Sequence, residues 1–557
     1  MYEALSTERK ELQSVGHLPD WVTTGGWQLF KERYLYDAVA MDDTFERIAH
    51  TLAAYTPHPS YWEVVFYEML WNGWLMPATP VLSNTGTPKG MPVSCSGQYI
   101  HDSISGFYDG YKETALLTKY GFGTSGYLGD IRPRGAAISI GGTASGVMPV
   151  IEHFVQDMRD VAQGTSRRGA WAGYLPIDHG DFWEVLSYLR DKPDDANIGW
   201  CVSDDFIARL NNGEEEAIKR YQGALKVKAI TGKGYFFFPD KANRARPEWV
   251  TEPILASNLC TEIMLPATED MTFTCVLSSL NLSKYREWEY TDTPFNAIVF
   301  LDAVASYFMD MATDVPGLDK AVRFTEQYRA LGLGTLGFHS LLQQEMIPFE
   351  SLEAHMLNNT IFAGIRQQAE EATRYLAVEL GEPEKMEGTG RRNSHLMAIA
   401  PNMSTALLAG GVSQGIEPIV ANVYNQLTAA GEIYRVNPTF LRLTEERVGW
   451  SEDIKKSVID HNGSVQHLDY LTDHEKLVLK TAYELDQSAL VRLASARQRY
   501  IDQGQSLNLF FSADEDEEYI SQIHKQAFLD ENIKSLYYMR TMAGVQASKG
   551  ECIACEG

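Results

Sequence analysis

Residues 254–282, ILASNLCTEIMLPATEDMTFTCVLSSLNL, form the most informative segment for the architecture. The segment contains short apolar runs typical of strands, which are separated by Pro266 and by an acidic turn at Glu269-Asp270. On both sides of it, apolar residues at helical spacing predict helices over residues 61–75, 147–163, 361–380 and 485–503. Because helices and short strands are interleaved along the chain, we predict an α/β protein.

The composition excludes several classes of protein. The 557 residues are 44% hydrophobic and 11% aromatic, which is ample for a large core and excludes disorder in the bulk of the chain. With 74 acidic and 48 basic residues the net charge is −26, so a nucleic-acid polymer is not an expected partner, although a small anionic ligand is compatible with a local site.

The chain shows no export signal and no clear membrane segment. Its first residues, MYEALSTERKELQ, lack the apolar core of a signal peptide. The most apolar long run, Phe295 to Met311, is interrupted by Asp302 and Asp310 and predicts a buried helix. We therefore expect a soluble cytoplasmic protein with no membrane partner.

Six cysteines are too few for a disulfide scaffold in a chain of this length. Isolated cysteines are most often small buried hydrophobic residues, and we interpret Cys201 in this way. Cys552 and Cys555 form a C-x-x-C pair that could be half of a zinc site with remote ligands or a dithiol. The histidines form no metal-binding motif, and we predict no metal in this chain.

The segment Asn258-Leu259-Cys260-Thr261-Glu262 places an amide, a thiol and a carboxylate at alternate positions. In an extended strand, these three side chains point to one face. Glu262 is then a candidate general base beside the Cys260 thiol, and Asn258 is a neutral hydrogen-bonding group. The pattern is compatible with chemistry at a hydroxyl-bearing carbon, but polar alternation also occurs at ordinary strand edges.

Two further cysteines, Cys95 and Cys275, lie in strand-like runs. If they face each other with Cα atoms ~5.5 Å apart, they could cycle between dithiol and disulfide. The tail pair Cys552 and Cys555, with Lys549 nearby to favour thiolate, is spaced for a second dithiol that exchanges electrons with the first. This use of the cysteines suggests reductive chemistry.

A candidate anion site lies at Pro401-Asn402-Met403-Ser404-Thr405, which precedes the helix-forming run from Ala406 to Ala409. Unpaired N–H groups and the positive end of the helix dipole favour an anion at such a turn. An ordinary helix cap is the alternative interpretation. Thr79 and Ser94 would add hydroxyl donors if they fold close to this turn.

Together these segments resemble the catalytic, large subunit of ribonucleotide reductase, in the class that draws its radical from a separate subunit. The resemblance covers residues 30–557. It rests on the order and spacing of MPATP at 76–80, Ser94-Cys95, NLCTE at 258–262, TCVLSSLNL at 274–282, RALGLG at 329–334, PNMST at 401–405, GIEP at 415–418, LYY at 536–538 and the C-x-x-C pair.

The resemblance implies a ten-stranded α/β barrel, built from two parallel five-stranded halves arranged antiparallel to each other around a central finger loop. It implies three regions: an N-terminal helical region over residues 1–60, the barrel domain over 61–540, and a flexible redox tail over 541–557. The family's N-terminal domain for overall activity control, the ATP cone, has no counterpart in the 30 or so residues before the matching region. We therefore expect that this control is absent.

The resemblance also implies the chemistry of ribonucleotide reduction, a step in the supply of deoxyribonucleotides for DNA replication. Cys260 becomes a thiyl radical and takes the 3′ hydrogen of the substrate, Glu262 accepts the 3′ hydroxyl proton, and Asn258 holds the sugar hydroxyls. Cys95 and Cys275 supply the reducing equivalents. The substrate phosphates, most simply those of a diphosphate, are bound by Thr79, Ser94, Asn402, Met403, Ser404 and Thr405.

The remaining implied features concern radical transfer and regulation. Tyr537 and Tyr538 relay the radical between subunits, although adjacent tyrosines elsewhere usually only pack. Asp102 and Arg132 match effector-binding positions, in one region with residues 147–169, and residues 192–197 match the loop between effector and substrate.

The expected partners and cofactors follow from the same resemblance. We expect a radical-generating, metal-containing small subunit, thioredoxin or glutaredoxin, Mg with the nucleotides, deoxynucleotide or ATP effectors, and a homodimer. The alternatives are the adenosylcobalamin-dependent reductase of the same fold and a noncatalytic nucleotide-binding protein.

Overall fold

The computed structural model describes residues 2–163, 167–428 and 431–541. The predicted redox cysteines Cys552 and Cys555 lie outside these residues, as does most of the predicted tail. All statements about the structure below concern the described residues.

The chain begins with a group of helices that pack on one another. On the third helix, Met41, Phe45, Ile48 and Leu52 are buried at helical spacing and face the fourth. The predicted helix 61–75 ends earlier, at Trp71, because Gly73 adopts a positive φ of 67° and Leu75 already starts a strand. The elements are α1 Tyr2–Ser14, α2 Thr24–Arg33, α3 Met41–Ala53, α4 Pro59–Trp71, β1 Leu75–Pro77 and α5 Thr79–Asn84.

The first half of the sheet contains five parallel strands in the order β2-β3-β6-β7-β8, with helices between successive strands. The predicted strand around Cys95 and the predicted helix from residue 147 are both present. The elements are β2 Cys95–Tyr99, α6 Ile104–Lys119, β3 Thr124–Tyr127, α7 Met148–Asp160, β4 Ala162–Gln163, β5 Arg167–Arg168, β6 Trp171–Pro176, α8 Phe182–Asp191, β7 Asn197–Cys201, α9 Asp204–Asn211, α10 Glu215–Thr231, β8 Tyr235–Phe237 and α11 Pro239–Ala245.

The second half starts with β9, which runs antiparallel to β2 and parallel to β10. Parallel bridges from Leu333 to Met397 and from Ile399 to Gln505 continue this half beyond the assigned strands. The expected arrangement of two parallel halves that oppose each other is therefore confirmed, with nine strands hydrogen-bonded into the sheet among the described residues. The elements are β9 Phe273–Asn281, α12 Tyr285–Trp288, α13 Thr293–Ala312, α14 Asp319–Tyr328, β10 Leu331–Leu336, α15 Phe338–Gln344, α16 Leu352–Leu380 and α17 Met403–Leu408.

The C-terminal part adds a small core of its own and then returns to the barrel. Val423, Phe440, Val458 and Leu479 belong to this small core. The elements are β11 Val423–Thr428, β12 Gly431–Val436, α18 Pro438–Arg447, α19 Glu452–Asp460, α20 Asp473–Val478, α21 Gln487–Gln498, β13 Leu509–Phe511, α22 Glu517–Leu529, β14 Ser535–Leu536 and β15 Met539–Thr541, besides 3₁₀ turns at Leu282–Lys284, Glu384–Met386 and Ala482–Glu484.

Alternation along the strands divides the core into two clusters. On β6, Trp171 and Leu175 belong to the large cluster, whereas Ala172 and Tyr174 belong to a second one. The second cluster also contains Cys260 and Tyr537. This side of the curled sheet is therefore the one on which the candidate site is built.

Helix α13 is long and apolar enough to cross a membrane when only its length and composition are considered. However, 67% of its most apolar window is buried inside the protein, and the core helices of globular proteins pass the same test. The predicted buried helix over residues 295–311 is thus confirmed.

Candidate active site

A cavity with an empty volume of about 370 Å³ lies where the two halves of the sheet meet. Five of the residues singled out from the sequence line it together. Its walls are Ala78, Ser94, Cys95, Gly123, Leu259, Cys260, Glu262, Leu277, Ala400, Pro401 and Asn402. Three segments that are far apart in the chain, around residues 95, 260 and 401, therefore converge on one space.

The segment that carries Cys260 is a loop rather than the extended strand predicted from its alternation. Residues 246–272 contain no helix or strand, and Thr261 has a φ of +69°, which a β-branched residue rarely adopts. The loop closes on itself, since the Ser257 hydroxyl donates to the Ile263 carbonyl at 2.7 Å and the Ile263 N–H donates to Asn258 Oδ1 at 3.2 Å. The turn at Thr261, rather than strand alternation, determines the directions of Cys260 and Glu262.

Cys95 and Cys275 occupy directly opposed positions on the antiparallel strands β2 and β9. Opposed Cα atoms in such a pair are ~4.5–5.5 Å apart, which is within the range that a disulfide spans. Cys95 lines the cavity and accepts a hydrogen bond from the Asn258 side-chain amide at 3.2 Å. Cys275 is fully buried behind it, and burial raises the pKa of its thiol well above the ordinary value. The pair is therefore one buried thiol on the cavity wall and one thiol behind it.

Glu262 is almost fully buried at the cavity wall. Burial raises the pKa of its carboxyl to about 7, and hydrogen bonds from Asn258 and Ser506 oppose the rise only in part. The Ser506 hydroxyl donates both to Glu262 Oε2 at 3.2 Å and to the Cys260 carbonyl at 2.6 Å. A carboxyl with this pKa can gain or lose a proton near neutral pH, as a general base requires.

The predicted tyrosine pair reaches the loop thiol. The Tyr537 hydroxyl lies 3.4 Å from Cys260 Sγ, and the rings of Tyr537 and Tyr538 are 4.1 Å apart between centroids. Tyr235 donates to the Tyr538 hydroxyl at 3.1 Å, and the Arg540 guanidinium lies 4.6 Å from the centre of the Tyr538 ring. The aromatic side chains form a continuous chain of contacts that ends at a sulfur atom.

Two of the six predicted phosphate residues, Ser94 and Asn402, line the cavity, and the other four do not. Asn402 caps α17 with a positive φ of 58° and lines the cavity, and its amide donates to the Ser279 hydroxyl at 2.8 Å. The Ser94 hydroxyl is buried in the cavity wall and has no hydrogen-bond partner in the described part of the chain. Thr79 shares a hydrogen bond of 3.1 Å with Tyr34. Met403, Ser404 and Thr405 belong to α17 behind Asn402.

The two predicted effector residues are in contact with each other. Arg132 Nε lies 2.6 Å from Asp102 Oδ2, and both side chains are partly exposed. Asp102 directly precedes Ser103, the N-cap of α6. Residues 192–196 connect α8 to β7, and Asn197 is the first residue of β7.

Several residues of the site were not identified from the sequence. Gln503 donates to Cys275 Sγ at 3.3 Å, and Tyr174 donates to the Asn258 carbonyl at 2.5 Å. Lys228 is fully buried and binds the Tyr537 carbonyl, and burial lowers its pKa to about 7. A polar run such as residues 502–506 ordinarily predicts an exposed turn, so only the tertiary structure reveals these contacts.

The described part of the chain contains no cluster of metal-ligating side chains. No group of three or more His, Cys, Asp or Glu residues there could hold a metal ion. The zinc alternative for Cys552 and Cys555 falls outside the described residues.

Comparisons with known proteins cover nearly the whole chain. A family model described as "Ribonucleotide reductase, barrel domain" matches residues 93–225, 216–389 and 382–539, and one described as "Ribonucleotide reductase, all-alpha domain" matches residues 21–90. The ribonucleoside-diphosphate reductase large subunit of Invertebrate iridescent virus 3 is 32% identical over 88% of this chain and 91% of its own length. That of Danio rerio is 28% identical over 86% of this chain and 70% of its own length.

A solved structure of a ribonucleotide reductase alpha subunit has the same fold as this chain. The class Id ribonucleotide reductase alpha subunit of Actinobacillus ureae superimposes with a TM-score of 0.87 at 36% sequence identity. The match covers 95% of this chain and 99% of that one.

Proposed function

The chain belongs to the ribonucleotide reductase large-subunit family, and from this premise we propose that it reduces ribonucleoside diphosphates to 2′-deoxyribonucleotides in the cavity lined by Cys95, Cys260 and Glu262. One observation carries the assignment of the site. The loop thiol and a carboxyl with a pKa of about 7 share this cavity with one member of a directly opposed cysteine pair.

Each of these groups has one role in the proposed reaction. A Cys260 thiyl radical takes the 3′ hydrogen atom from the sugar, while Glu262 accepts the 3′ hydroxyl proton and Asn258 holds the hydroxyls. The 2′ hydroxyl leaves as water. Cys95 and Cys275 supply two hydrogen equivalents and become a disulfide, and Cys260 returns the hydrogen atom to C3′. One ribonucleotide and one dithiol thus give one deoxyribonucleotide, one disulfide and one water.

The cavity is suited to this chemistry because its reactive groups are shielded from solvent. Cys260 is 5% exposed and Glu262 is 1% exposed. A carbon-centred radical on the sugar is protected in such a space from side reactions with water and oxygen. The Ser94 hydroxyl, which has no hydrogen-bond partner among the described residues, and the Asn402 turn supply donors for the diphosphate at the cavity wall.

Substitution of Cys260 tests the proposal. Cys260→Ser keeps the size of the side chain but does not form the radical readily, so turnover falls below a few per cent while nucleotide binding is retained. Cys201→Ser is the matched control, because Cys201 is a buried thiol of the same core cluster that does not line the cavity. Deoxynucleotide formation by Cys260→Ser at a tenth of the wild-type rate or more contradicts the proposed role.

The source of the radical separates the proposed class from its nearest rival. Class I large subunits pair with a small subunit, and we propose that a separate metal-containing subunit generates the Cys260 radical by way of Tyr537 and Tyr538. The contact between Tyr537 and Cys260 supports this route. Turnover with a radical-generating subunit, and none with adenosylcobalamin alone, is expected. The opposite result favours the cobalamin-dependent class, and no turnover with either favours a noncatalytic protein.

The remaining features are proposed from the family alone. They are regulation by deoxynucleotides or ATP at Asp102 and Arg132, Mg bound with the nucleotides, re-reduction by thioredoxin or glutaredoxin through Cys552 and Cys555, and a homodimer. The division into residues 1–60, 61–540 and 541–557 likewise stays a prediction.

A further inference from the structure

The two sulfur atoms of the proposed redox pair each accept a hydrogen bond from a side-chain amide. Asn258 donates to Cys95 Sγ at 3.2 Å, and Gln503 donates to Cys275 Sγ at 3.3 Å. Asn258 already has a role beside the substrate. Gln503 does not line the cavity, and it lies 228 residues from Cys275 in the chain.

The orientation of the Gln503 amide is determined by its other contacts. Its Oε1 accepts from the Met264 N–H at 3.1 Å, and its Nε2 donates to the Leu331 carbonyl at 2.9 Å. A flipped amide would place Nε2 against the Met264 N–H and the oxygen against the Leu331 carbonyl, so that two like groups would face each other. The N–H therefore points to the sulfur, rather than the carbonyl oxygen.

The backbone of Gln503 is held equally firmly. Its N–H donates to the Met397 carbonyl at 3.2 Å, and its carbonyl accepts from Gln498 at 2.8 Å and from Lys534 at 2.7 Å. The residue is fully buried. Because Met264 lies in the loop that carries Cys260 and Glu262, the Gln503 side chain links the position of that loop to the Cys275 sulfur.

We propose that Gln503 is a positioning residue for the redox pair, whose amide N–H holds the Cys275 sulfur in place opposite Cys95 and stabilises negative charge on it. The proposal rests on the proposed function, which makes Cys95 and Cys275 the reductant. A thiol must lose its proton before it attacks a disulfide, and a buried sulfur without a donor resists this step. The titratable groups whose charges act on the Cys275 thiol are Cys95, Glu262 and Asp502. Asp502 forms an ion pair with Arg366 at 2.8 Å.

Closure of the disulfide provides a direct test in the full-length chain. Cys260, Cys552 and Cys555 are changed to serine, so that they cannot react or exchange with the pair. Methyl methanethiosulfonate, which is small enough to enter the cavity, then transfers its S-methyl group to the Cys95 thiol and releases methanesulfinate. The Cys275 thiolate attacks the Cys95 sulfur, which forms the Cys95–Cys275 bond, breaks the bond to the S-methyl group and releases methanethiolate. Mass spectrometry after an acid quench measures the rate at each pH.

Gln503→Leu is expected to slow closure at least tenfold at neutral pH and to move the rate–pH profile to higher pH. Gln503→Glu keeps the shape and the acceptor for Met264. While the introduced carboxyl is protonated, it can still donate to the Cys275 sulfur. The rate of disulfide closure in Gln503→Glu, relative to wild type, should therefore fall as the pH rises and the carboxyl ionises. Gln505→Leu is the control, because Gln505 is buried two residues away and donates to Ala494 and Gln498, but not to a sulfur.

The outcomes separate the two proposals. Closure in the parent protein, slowed by both Gln503 changes but within twofold of the parent rate in Gln505→Leu, supports the role of Gln503. Closure at the parent rate in folded Gln503→Leu at neutral pH, a Gln503→Glu rate that does not fall relative to the parent rate as the pH rises, or equal slowing by Gln505→Leu overturns it and leaves the proposed function intact. Failure of the parent pair to close, with Gln503 present, instead counts against the proposed function.

Discussion

The Tyr537 hydroxyl lies 3.4 Å from the Cys260 sulfur, at one end of a contact chain that continues through Tyr538 and Tyr235. These residues come from the loop before β9, the segment between β14 and β15, and β8. Burial of the whole chain of rings excludes water from the path, since Tyr235 and Tyr537 are fully buried and Tyr538 is 4% exposed. The arrangement can take an electron and a proton from a thiol without exposing either to solvent.

Removal of either hydroxyl should stop turnover that depends on a radical-generating subunit. Tyr537→Phe and Tyr538→Phe keep the ring packing, so thermal unfolding should change little, whereas the oxidisable group is lost. Tyr483→Phe is the matched control, because its buried hydroxyl has no hydrogen-bond partner among the described residues. Wild-type turnover in either of the first two variants would return the pair to a packing role.

The rate of substrate reduction should rise with pH through about 7. Glu262 acts as a base only when ionised, and burial raises the pKa of its carboxyl to about 7. Single-turnover rates measured across this range should follow one ionisation. Glu262→Gln should lose both the rate and this inflection, because the amide cannot accept the proton. A similar inflection that persists in Glu262→Gln would assign it to another group, such as Lys228.

The same shift has a consequence for stability. The folded-state pKa of Glu262 lies above the value of 4.5 for an ordinary glutamate, so the folded chain binds the extra proton between these pH values. This contribution to stability is fully present below about 4.5 and is lost as the pH rises through about 7. The free energy of unfolding should be measured for wild type and Glu262→Gln across this pH range. The decline in stability with rising pH that Glu262 causes in wild type should be absent from Glu262→Gln.

The proposed tail dithiol predicts a difference between reductants. Fourteen residues separate Thr541 from Cys555, with a fully extended reach of ~45 Å. The double change of Cys552 and Cys555 to serine should remove most of the activity with thioredoxin or glutaredoxin. A small dithiol that enters the cavity should restore it, since Cys95 and Cys275 are unchanged. Equal loss with both reductants, together with loss of a bound zinc, would indicate a structural metal site instead.

Asp302 is expected to be essential for the stability of the second half of the barrel. Its buried carboxylate accepts from Arg329 at 2.8 Å and Arg392 at 3.0 Å, and these arginines hold the pKa of Asp302 down to about 2. Asp302→Asn leaves two buried guanidinium groups without their counterion, so the free energy of unfolding should fall by ~3–5 kcal/mol. Asp310→Asn on the exposed side of the same helix should cost ~0.5 kcal/mol or less.

The Asp302 contribution should also depend on pH. Because its folded-state pKa lies below the ordinary value of 3.8, the contribution is present above that value and is lost as the pH falls towards about 2. Urea denaturation over this range should show a decline in wild type that Asp302→Asn lacks. An Asp302→Asn variant as stable as wild type at neutral pH would show that the arginines find other partners.

Much of the fold and many of the site residues could be predicted from the sequence. Apolar spacing predicted α7 and α13, and the short motifs singled out Cys95, Cys260 and Glu262, which line one cavity, and Cys275, which lies opposite Cys95. These signals are local, because helix periodicity and motif spacing depend on residues a few positions apart. The exact ends of elements were less certain, as the early end of the helix at Trp71 shows.

Local motifs in the sequence reveal the chemical groups of the site, whereas the packing of distant segments sets which of these groups meet. Alternation at residues 258–262 suggested a strand, but closure of the loop and the positive φ of Thr261 override it. Gln503 gave no local signal, since its contact with Cys275 joins residues 228 positions apart. The physical reason is that burial makes each polar group find a partner, and that partner is supplied by the packing of distant segments rather than by neighbours in the chain.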